Sequence, residues 1–379
     1  MTGPAGAEIF DNVCTKLWGS PVKRLSIKDI AKTAHVSNST VSRALRNSPL
    51  VNRVTGDLIR RIAEDAGYRP SAAARSLVTR RTHTIGVVVT TISDPFVADV
   101  VSGIEDAAEA QGFSVFLANS HAEPAREKRV VRSFEERRVD GIIVTSSRVG
   151  SLHVSMLSQM EVPVVLLNNQ HDNEAAHSVM IDNHGGSFAA TQHLTGHGHR
   201  RIGYIGDRLG YQSDSERLAG YRAALEAAGI EFDEALVARG DGKPEGAREA
   251  LGQLLSLADK PTGIFCYNDM SALGVMHEAG KRGLHVPEDL SLVGFDDLYI
   301  SQYLNPPLTT VRQPMAGMGR MATETLLRLI AREPAPPVVT VRGELIVRES
   351  VCAPRVVRAQ ARSARAGAGG TRASARSER

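Results

Sequence analysis

The feature of this sequence that most constrains its fold is an alternation of short apolar runs with longer helix-like segments, which begins at Thr84. Continuous apolar runs are typical of strands buried on both faces, and the intervening segments are long enough for helical crossovers between parallel strands. The predicted strands lie at 85–89, 115–118, 141–144, 164–167, 201–205, 263–266 and 290–295, and the predicted helices include 96–111, 215–228 and 270–282. About 270 residues of this pattern favour two doubly wound parallel-sheet lobes over one.

A different pattern precedes this α/β region. Ser26 is followed three residues on by Asp29, a variant of the capping box that starts a helix, and Ser37 is well placed to cap a second short helix. Thr55 is predicted to cap a third helix, which Gly67 ends. Two short helices joined by a tight turn and followed by a third are typical of the helix-turn-helix, whose second helix enters the major groove of DNA.

The second of these helices carries polar side chains suited to reading DNA. Asn38 and Ser39 are predicted to point outward at its start, and Thr40 and Ser42 to reach phosphates. Arg43 follows one turn later; Arg can form two hydrogen bonds with guanine, as Asn can with adenine. The predicted DNA-contacting residues of this unit are Ser37, Asn38, Ser39, Thr40, Ser42, Arg43 and Arg46. The alternative is a small three-helix bundle with a solvated polar face.

Charge is distributed unevenly along the chain. Residues 1–84 hold 14 Lys and Arg against 6 Asp and Glu, whereas residues 85–354 hold 24 against 35. Residues 355–379 hold 7 against 1. A basic block beside an acidic body indicates that the N-terminal segment meets a polyanion and that the body does not.

Cysteine usage and hydropathy bear on the compartment. Cys14, Cys266 and Cys352 are widely spaced and odd in number, which argues against a disulfide framework and for a reducing environment. The sequence contains no apolar stretch as long as a membrane span, and residues 1–10 lack the pattern of a secretory signal. We therefore expect a cytoplasmic protein with no membrane partner.

A set of longer motifs occurs in a known order. They are SIKDIAKTAHVSNSTVSRAL from Ser26, GYRPSAAARSL from Gly67, DGIIV at 140–144, IDN at 181–183, HRRIGYI at 199–205, RLAGY at 217–221, NDMSALG at 268–274, VPEDLSLVGFDD at 286–297 and PPLTTVRQP at 306–314. With these motifs the chain resembles the lactose/galactose repressor family of bacterial transcription regulators over roughly residues 25–350. The resemblance implies a body of the periplasmic-binding-protein type, with two lobes joined by crossing strands.

The resemblance also assigns a role to the Ala-rich segment after Pro70. In the family this segment is a hinge helix that folds on operator DNA, and its Leu side chains open a base step in the minor groove. The matching residues here are Ala74 and Leu77, and apolar wedges of this kind kink DNA. The alternative is a plain linker whose Leu77 packs on the body.

Three positions of the N-terminal unit depart from the family pattern. Arg46 stands where the family commonly has Asn, Asn52 where it commonly has Ser, and Gly56 where it frequently has Arg. We expect Gly56 to remove one phosphate contact and Arg46 to restore charge nearby.

Polar residues follow the predicted strands of the body at their carboxyl ends, where doubly wound lobes bind ligands. Asp, Asn, Ser and Arg with an occasional aromatic ring suit a polyhydroxylated ligand. By family resemblance, the effector contacts fall on Phe96, Asn168, Arg217, Asn268, Asp296 and Gln313. Gly242 stands where the family often has an aromatic residue, so part of the stacking wall is expected to be missing. Asp269 and Asp297 are assigned to structure.

These observations predict a fold class and a division of the chain. The fold class is an all-α helix-turn-helix headpiece plus an α/β body of two doubly wound parallel-sheet lobes. The expected divisions are a flexible extension at 1–23, the headpiece at 24–70, a hinge helix or linker at 71–82, the two-lobed effector-binding and dimerisation domain at 83–354, and a disordered basic tail at 355–379.

The predicted function is a cytoplasmic, sequence-specific regulator, most simply a repressor, that binds double-stranded operator DNA as a homodimer. A small effector, a sugar or sugar derivative, is expected to control its operator affinity. The alternatives are a cytoplasmic solute-binding protein, a regulator that responds to a nucleoside or purine-type ligand, and a doubly wound enzyme. The enzyme is opposed because the sequence shows no catalytic constellation.

No cofactor or metal is expected. The glycines at 317–322 imitate a dinucleotide fingerprint without its preceding strand, and His193, His197 and His199 lack supporting carboxylate or Cys spacing.

Overall fold

The computed structural model describes residues 26–68, 81–145, 162–169 and 177–355. The chain divides into two compact units, one ending at Arg80 and the other beginning at Arg81. The predicted hinge residues Ala74 and Leu77 lie outside the described residues, as do residues 1–25 and 356–379.

The N-terminal unit contains three helices, α1 (Ile27–Thr33), α2 (Asn38–Ala44) and α3 (Arg53–Asp65). Each contributes to a small apolar core, through Ile30, Val41 and Ile59 respectively. The two predicted caps are present: the Asp29 carboxylate accepts hydrogen bonds from the backbone N–H and hydroxyl of Ser26 at 2.9 and 2.7 Å, and the Ser37 Oγ accepts from the Thr40 N–H at 3.1 Å. The helix-turn-helix prediction is confirmed.

The predicted start of the third helix is wrong. Asn52, not Thr55, is the N-cap of α3, and its Oδ1 accepts a hydrogen bond from the Val54 N–H at 2.9 Å. Asn is as good a cap as Thr, and the earlier cap lengthens the helix. Arg60 of α3 donates to the Ala44 carbonyl at 3.1 Å, which fixes α3 against the end of α2.

The larger unit contains two six-stranded sheets. The first has the strand order β11-β5-β4-β3-β1-β2, and the second β12-β10-β9-β8-β6-β7. The strands are β1 (Thr84–Val89), β2 (Ser114–Asn119), β3 (Gly141–Thr145), β4 (Val164–Leu167), β5 (His177–Ile181), β6 (Ile202–Asp207), β7 (Val237–Gly240), β8 (Gly263–Cys266), β9 (Ser291–Asp296), β10 (Thr309–Arg312), β11 (Val338–Val341) and β12 (Glu344–Ile346). The helices are α4 (Pro95–Ala110), α5 (Pro124–Glu136), α6 (Asn183–Gly196), α7 (Gln212–Ala227), α8 (Pro244–Leu255), α9 (Asp269–Lys281) and α10 (Met315–Ala331), with 3₁₀ turns at Glu234–Leu236 and Tyr299–Gln302.

The predicted two-lobed, doubly wound body is confirmed, with one departure from parallel pairing. All neighbouring strands of the first sheet run parallel. In the second sheet, β12 pairs antiparallel with β10. Antiparallel edge strands are common on otherwise parallel sheets. Strands β5, β7, β10, β11 and β12 were not predicted.

The described chain passes between the lobes at three crossings. After β5 of the first sheet it enters α6, which packs against α7 and β9 of the second lobe. After β10 of the second sheet it enters α10, which packs against α4 and β4 of the first lobe. Strands β11 and β12 belong to different sheets and are joined through Arg342 and Gly343. The Asp182 N–H donates to the Val341 carbonyl at 2.8 Å, so the first and third crossings are hydrogen-bonded to each other.

Small residues allow α10 to lie close to the first lobe. A Cβ at Gly103 of α4 would lie 2.0 Å from the Ala316 carbonyl oxygen, and one at Gly319 of α10 would lie 2.2 Å from the Val100 carbonyl oxygen. These backbones approach at distances that only glycine permits. Among the described helices, none combines the length and apolar content needed to cross a bilayer.

Candidate functional site

The predicted DNA-contacting residues of the headpiece lie on and around one helix, α2. Five of them are exposed, and Thr40 and Ser42 are partly buried. The Arg46 guanidinium donates to the Ser42 carbonyl at 3.1 Å and to its Oγ at 3.2 Å. Arg43 is exposed one turn after the start of α2, opposite the buried Val41 and Ala44. This face therefore presents hydroxyl, amide and guanidinium groups to solvent.

A cavity of about 440 Å³ lies in the larger unit. All six predicted effector contacts line it: Phe96, Asn168, Arg217, Asn268, Asp296 and Gln313. The first two belong to the first lobe, the next three to the second, and Gln313 to the second crossing. Strand ends of both lobes thus converge on this cavity, as the doubly wound topology requires.

Asp296 is a buried carboxyl group in the wall of this cavity. The Gln313 Nε2 donates to its Oδ1 at 2.6 Å, and the Arg217 Nη2 lies 3.8 Å from the same oxygen. Burial raises the pKa of Asp296 well above its usual range, and the guanidinium of Arg217 opposes that shift. Asp296 has φ 119° and Asn168 has φ 55°, values that strain a non-glycine residue and that cluster at functional sites.

Arg217 is held on several sides. Its Nε donates to the Asn183 Oδ1 at 2.9 Å, and its Nη1 donates to the Tyr267 carbonyl. The guanidinium lies 3.7 Å from the centre of the Phe295 ring and 4.6 Å from that of Tyr267. These contacts hold the Arg217 guanidinium in the cavity wall.

Two buried acceptor atoms of the cavity wall have no hydrogen-bond partner among the described residues, the Gln313 Oε1 and the Asn168 Oδ1. In this structure the Gln313 Nε2 faces the Asp296 carboxyl, which leaves the Gln313 Oε1 as the amide atom without a partner among the described residues. An unsatisfied buried acceptor is costly, so a ligand that supplies a donor is favoured here.

Asn268 has a partly structural role. Its Oδ1 accepts from the Ser271 N–H at 2.9 Å as the N-cap of α9, and its Nδ2 donates to the Gly242 carbonyl at 3.0 Å. Gly242 has φ +71°, so an aromatic residue at this position would be strained. The missing part of the stacking wall stays a prediction, and this backbone conformation is consistent with a glycine at position 242.

The cavity also contains residues that the sequence analysis missed. Tyr267 and Tyr211 line it, and the Tyr267 hydroxyl lies 2.8 Å from the Ser213 Oγ. Asp94 caps α4 and faces the cavity; burial raises its pKa, which the nearby Lys243 opposes. Each of these residues lies within a few positions of a strand's carboxyl end. That position in the sequence is the feature by which they could have been predicted to line the cavity.

The two carboxylates assigned to structure do not line the cavity. Asp269 accepts from the Leu298 N–H at 2.9 Å and from the Ser301 and Thr310 hydroxyls, and burial raises its pKa to about 6. Asp297 pairs with Arg312 at 2.7 Å and with Arg348 at 2.5 Å.

His193 and His197 contact each other, whereas His199 is held by other residues. The rings of His193 and His197 are 4.5 Å apart, and burial lowers the pKa of His193. His199 bonds the Thr262 hydroxyl at 2.8 Å and the Cys352 carbonyl at 2.9 Å, which occupies both ring nitrogens. Within the described ranges, no group of three or more metal-binding side chains is assembled.

Two families match this sequence. The family described as bacterial regulatory proteins, lacI family, matches residues 26–71. The family described as periplasmic binding protein-like domain matches residues 191–351.

Individual proteins match most of the chain. The HTH-type transcriptional repressor PurR of Aliivibrio salmonicida is 34% identical over 331 residues, which cover 86% of this chain and 98% of the relative. The solved complex of the transcriptional regulator CelR with cellobiose is 32% identical, with a TM-score of 0.67, and covers 86% of this chain and 100% of its own. The lac repressor dimer bound to operator and the anti-inducer ONPF is 25% identical, with a TM-score of 0.81, and covers 87% and 100%.

Proposed function

The chain belongs to the lacI family of bacterial DNA-binding transcriptional repressors, and from this premise we propose that its effector is a sugar or sugar derivative that binds in the cavity between strand ends. Members of this family are regulators and not enzymes. They bind operator DNA and small-molecule effectors as dimers. Family membership does not determine which class of effector binds, so the choice of a carbohydrate rests on the residues of the cavity.

The observation that carries the proposal is the pair of buried amide oxygens in the cavity wall, Gln313 Oε1 and Asn168 Oδ1, which have no partner among the described residues. Asp296 adds a carboxyl group that accepts a hydrogen bond from Gln313 and lies 3.8 Å from the Arg217 guanidinium. A sugar offers several hydroxyl groups, each of which can donate and accept. The Phe96 and Tyr267 side chains supply rings for the apolar face of such a ligand. CelR, which is similar to this chain, is solved with cellobiose.

The effector class is tested by thermal unfolding of the full-length protein with a defined panel: cellobiose, D-ribose and D-xylulose against hypoxanthine, guanine and guanosine. A ligand that binds the native state raises Tm. We expect at least one sugar to raise Tm and the purine compounds to have no effect. If only a purine compound raises Tm, the effector is a nucleoside or purine-type ligand, the alternative from the sequence, and not a carbohydrate.

On the DNA side, we propose that the residues of α2 read the operator and that Ala74 and Leu77 form a minor-groove wedge. The support for α2 is its exposed polar face; the support for Ala74 and Leu77 is the sequence motif alone. Selection of bound duplexes from a random-sequence pool, followed by Kd measurements, tests the first part. Leu77→Ala should reduce DNA bending in an energy-transfer assay, and unchanged bending would remove Leu77 from the wedge.

We also propose a role for each segment of the chain and a compartment for the protein. We propose that 24–70 acts as the headpiece, 71–82 as the hinge and 83–354 as the effector-binding and dimerisation domain, with 1–23 and the basic residues 355–379 as extensions. A cytoplasmic location follows from the need to reach the chromosome. Truncation before Arg355 should flatten the salt dependence of non-specific DNA binding, because seven cations are removed.

A further inference from the structure

The first crossing between the lobes is connected to the cavity by one buried amide. Asn183 is the first residue of α6, directly after β5 and Asp182, and its side chain is buried. Its Oδ1 accepts from the Arg217 Nε at 2.9 Å. Asn183 itself is not among the residues that line the cavity, whereas Arg217 is.

The orientation of the Asn183 amide is fixed from both ends. Its Nδ2 donates to the Glu216 Oε2 at 2.8 Å, and the other Glu216 oxygen accepts from the Gln212 Nε2 at 2.7 Å. A flipped amide would place its NH₂ group against the guanidinium and its oxygen against the carboxylate, so both contacts would be lost. The Asn183 amide of α6 is therefore bound to two neighbouring residues of α7, Glu216 and Arg217.

The second crossing has a matching contact. Gln313 donates through its Nε2 to Asp296, and its backbone N–H donates to the Asp296 carbonyl at 3.2 Å. Arg217 and Asp296 approach each other at 3.8 Å in the cavity wall. Polar groups at two of the crossings thus meet at the same pair of cavity residues.

From this geometry we propose that Asn183 is a positioning residue of the effector response: it transmits the position of Arg217 to the β5–α6 crossing and so sets the relative angle of the lobes. The inference rests on the proposed function and adds to it that the lobe angle controls operator affinity. A ligand that moves Arg217 changes the Asn183 contact without touching Asn183. Cavity occupation and lobe angle are then coupled through a discrete hydrogen bond, and the coupling is reciprocal.

The test uses the full-length protein, the duplex selected by the wild-type protein from a random pool, and no effector. Asn183→Leu keeps a similar side-chain volume but removes both amide contacts. We expect its operator Kd to change by about fivefold or more, while the Kd for a random duplex stays the same because the headpiece is unaltered. Thr191→Val is the matched control: Thr191 is equally buried on α6, lies two turns further on, and should leave the operator Kd unchanged.

A double-mutant cycle separates transmission through Arg217 from general support of the fold. If Asn183 acts through Arg217, Asn183→Leu combined with Arg217→Met should match Arg217→Met alone within about twofold. Additive effects, or an operator Kd of Asn183→Leu equal to that of the wild type, would overturn the inference.

Two further results complete the test. If Asn183→Leu does not fold, Glu216→Gln takes its place, since it removes the charge that holds the Asn183 amide. Glu216→Gln should change the operator Kd in the wild-type background and have little further effect when it is combined with Arg217→Met. An unchanged operator Kd would overturn the inference. Failure of the wild-type protein to prefer any duplex would instead overturn the proposed function, and this inference with it.

Discussion

Asp296 combines a cavity-lining carboxyl group, which we propose binds the effector, with a contact to Gln313. Its Oδ1 accepts from Gln313 at 2.6 Å, and an Asn at this position would keep an acceptor for that bond. Hydrogen bonds between a charged group and ligand hydroxyls are worth about 1.5–3 kcal/mol each. Asp296→Asn should therefore weaken binding of the sugar identified by thermal shift about ten- to a hundredfold, measured by calorimetry, and leave effector-free operator binding intact. Normal sugar binding by this variant would remove Asp296 from the site.

The same carboxyl group predicts the pH dependence of effector affinity. Burial raises the pKa of Asp296, so the carboxylate that accepts ligand hydroxyls forms only as the pH rises above the usual range of Asp. Sugar affinity should increase with pH until Asp296 is ionised and fall as the pH is lowered. Asp94, whose pKa is also raised by burial, contributes in the same direction. Calorimetric titration of wild type and Asp296→Asn at several pH values checks this, and a flat wild-type profile would contradict it.

Arg43 gives the sharpest single-residue prediction for DNA. It is exposed on α2, and we propose that it contacts a base edge. Arg43→Ala should lower operator affinity by about 1–3 kcal/mol and random-duplex affinity much less. Arg137→Ala, which removes an equal charge from an exposed position of the body, is the control. Equal losses on both duplexes would mean that Arg43 contacts only phosphate.

At the scale of elements, the corrected start of α3 can be measured directly. Asn52→Ala removes the side chain that accepts from the Val54 N–H and should cost about 0.5–2 kcal/mol. The loss should appear as faster hydrogen exchange of α3 amides in the full-length protein. Thr55→Ala should have a clearly smaller effect, because Thr55 lies inside the helix. A larger loss for Thr55→Ala than for Asn52→Ala would instead support Thr55, the cap predicted from the sequence.

The elements that the sequence predicted share one property, a clear apolar or capping signal. Strands β1, β3, β4 and β8 are buried along their whole length, so a continuous apolar run identifies them. Strand β7 (VARG) and strand β10 (TTVR) carry charged or hydroxyl side chains, and β12 has three residues at a sheet edge. Their strand character comes from pairing with neighbours, which no local pattern records.

The sequence predicts only part of the candidate cavity, because local patterns do not record contacts between distant residues. Strand-end placement and family motifs identify Phe96, Arg217 and Asp296, but they do not reveal which groups hold them. Asn183 was visible only as part of a motif. Its contact with Arg217 joins residues 34 positions apart, and only the packing of α6 on α7 brings them together.

At the scale of the whole molecule, exposed large apolar side chains occur on both lobes. Phe116 and Leu117 are exposed on the edge strand β2 of the first lobe. Tyr299 and Tyr303 are 74% and 64% exposed on the second lobe, with ring centres 5.0 Å apart. A contiguous exposed apolar patch marks an interaction surface, and a dimeric repressor needs such a surface to present two headpieces. We therefore expect the Tyr299 and Tyr303 pair to lie between the two copies.

Charge placed on that tyrosine pair should therefore separate the copies. Tyr303→Glu would bury an unpaired carboxylate in the dimer interface, which costs several kcal/mol, so sedimentation should show a shift from dimer to monomer. Operator affinity should fall steeply, since one headpiece reaches only one half-site, while sugar binding within each chain persists. Ile92→Glu, at an exposed apolar residue of a loop, is the control and should remain dimeric. A dimeric Tyr303→Glu protein with normal operator affinity would exclude this surface as the interface between copies.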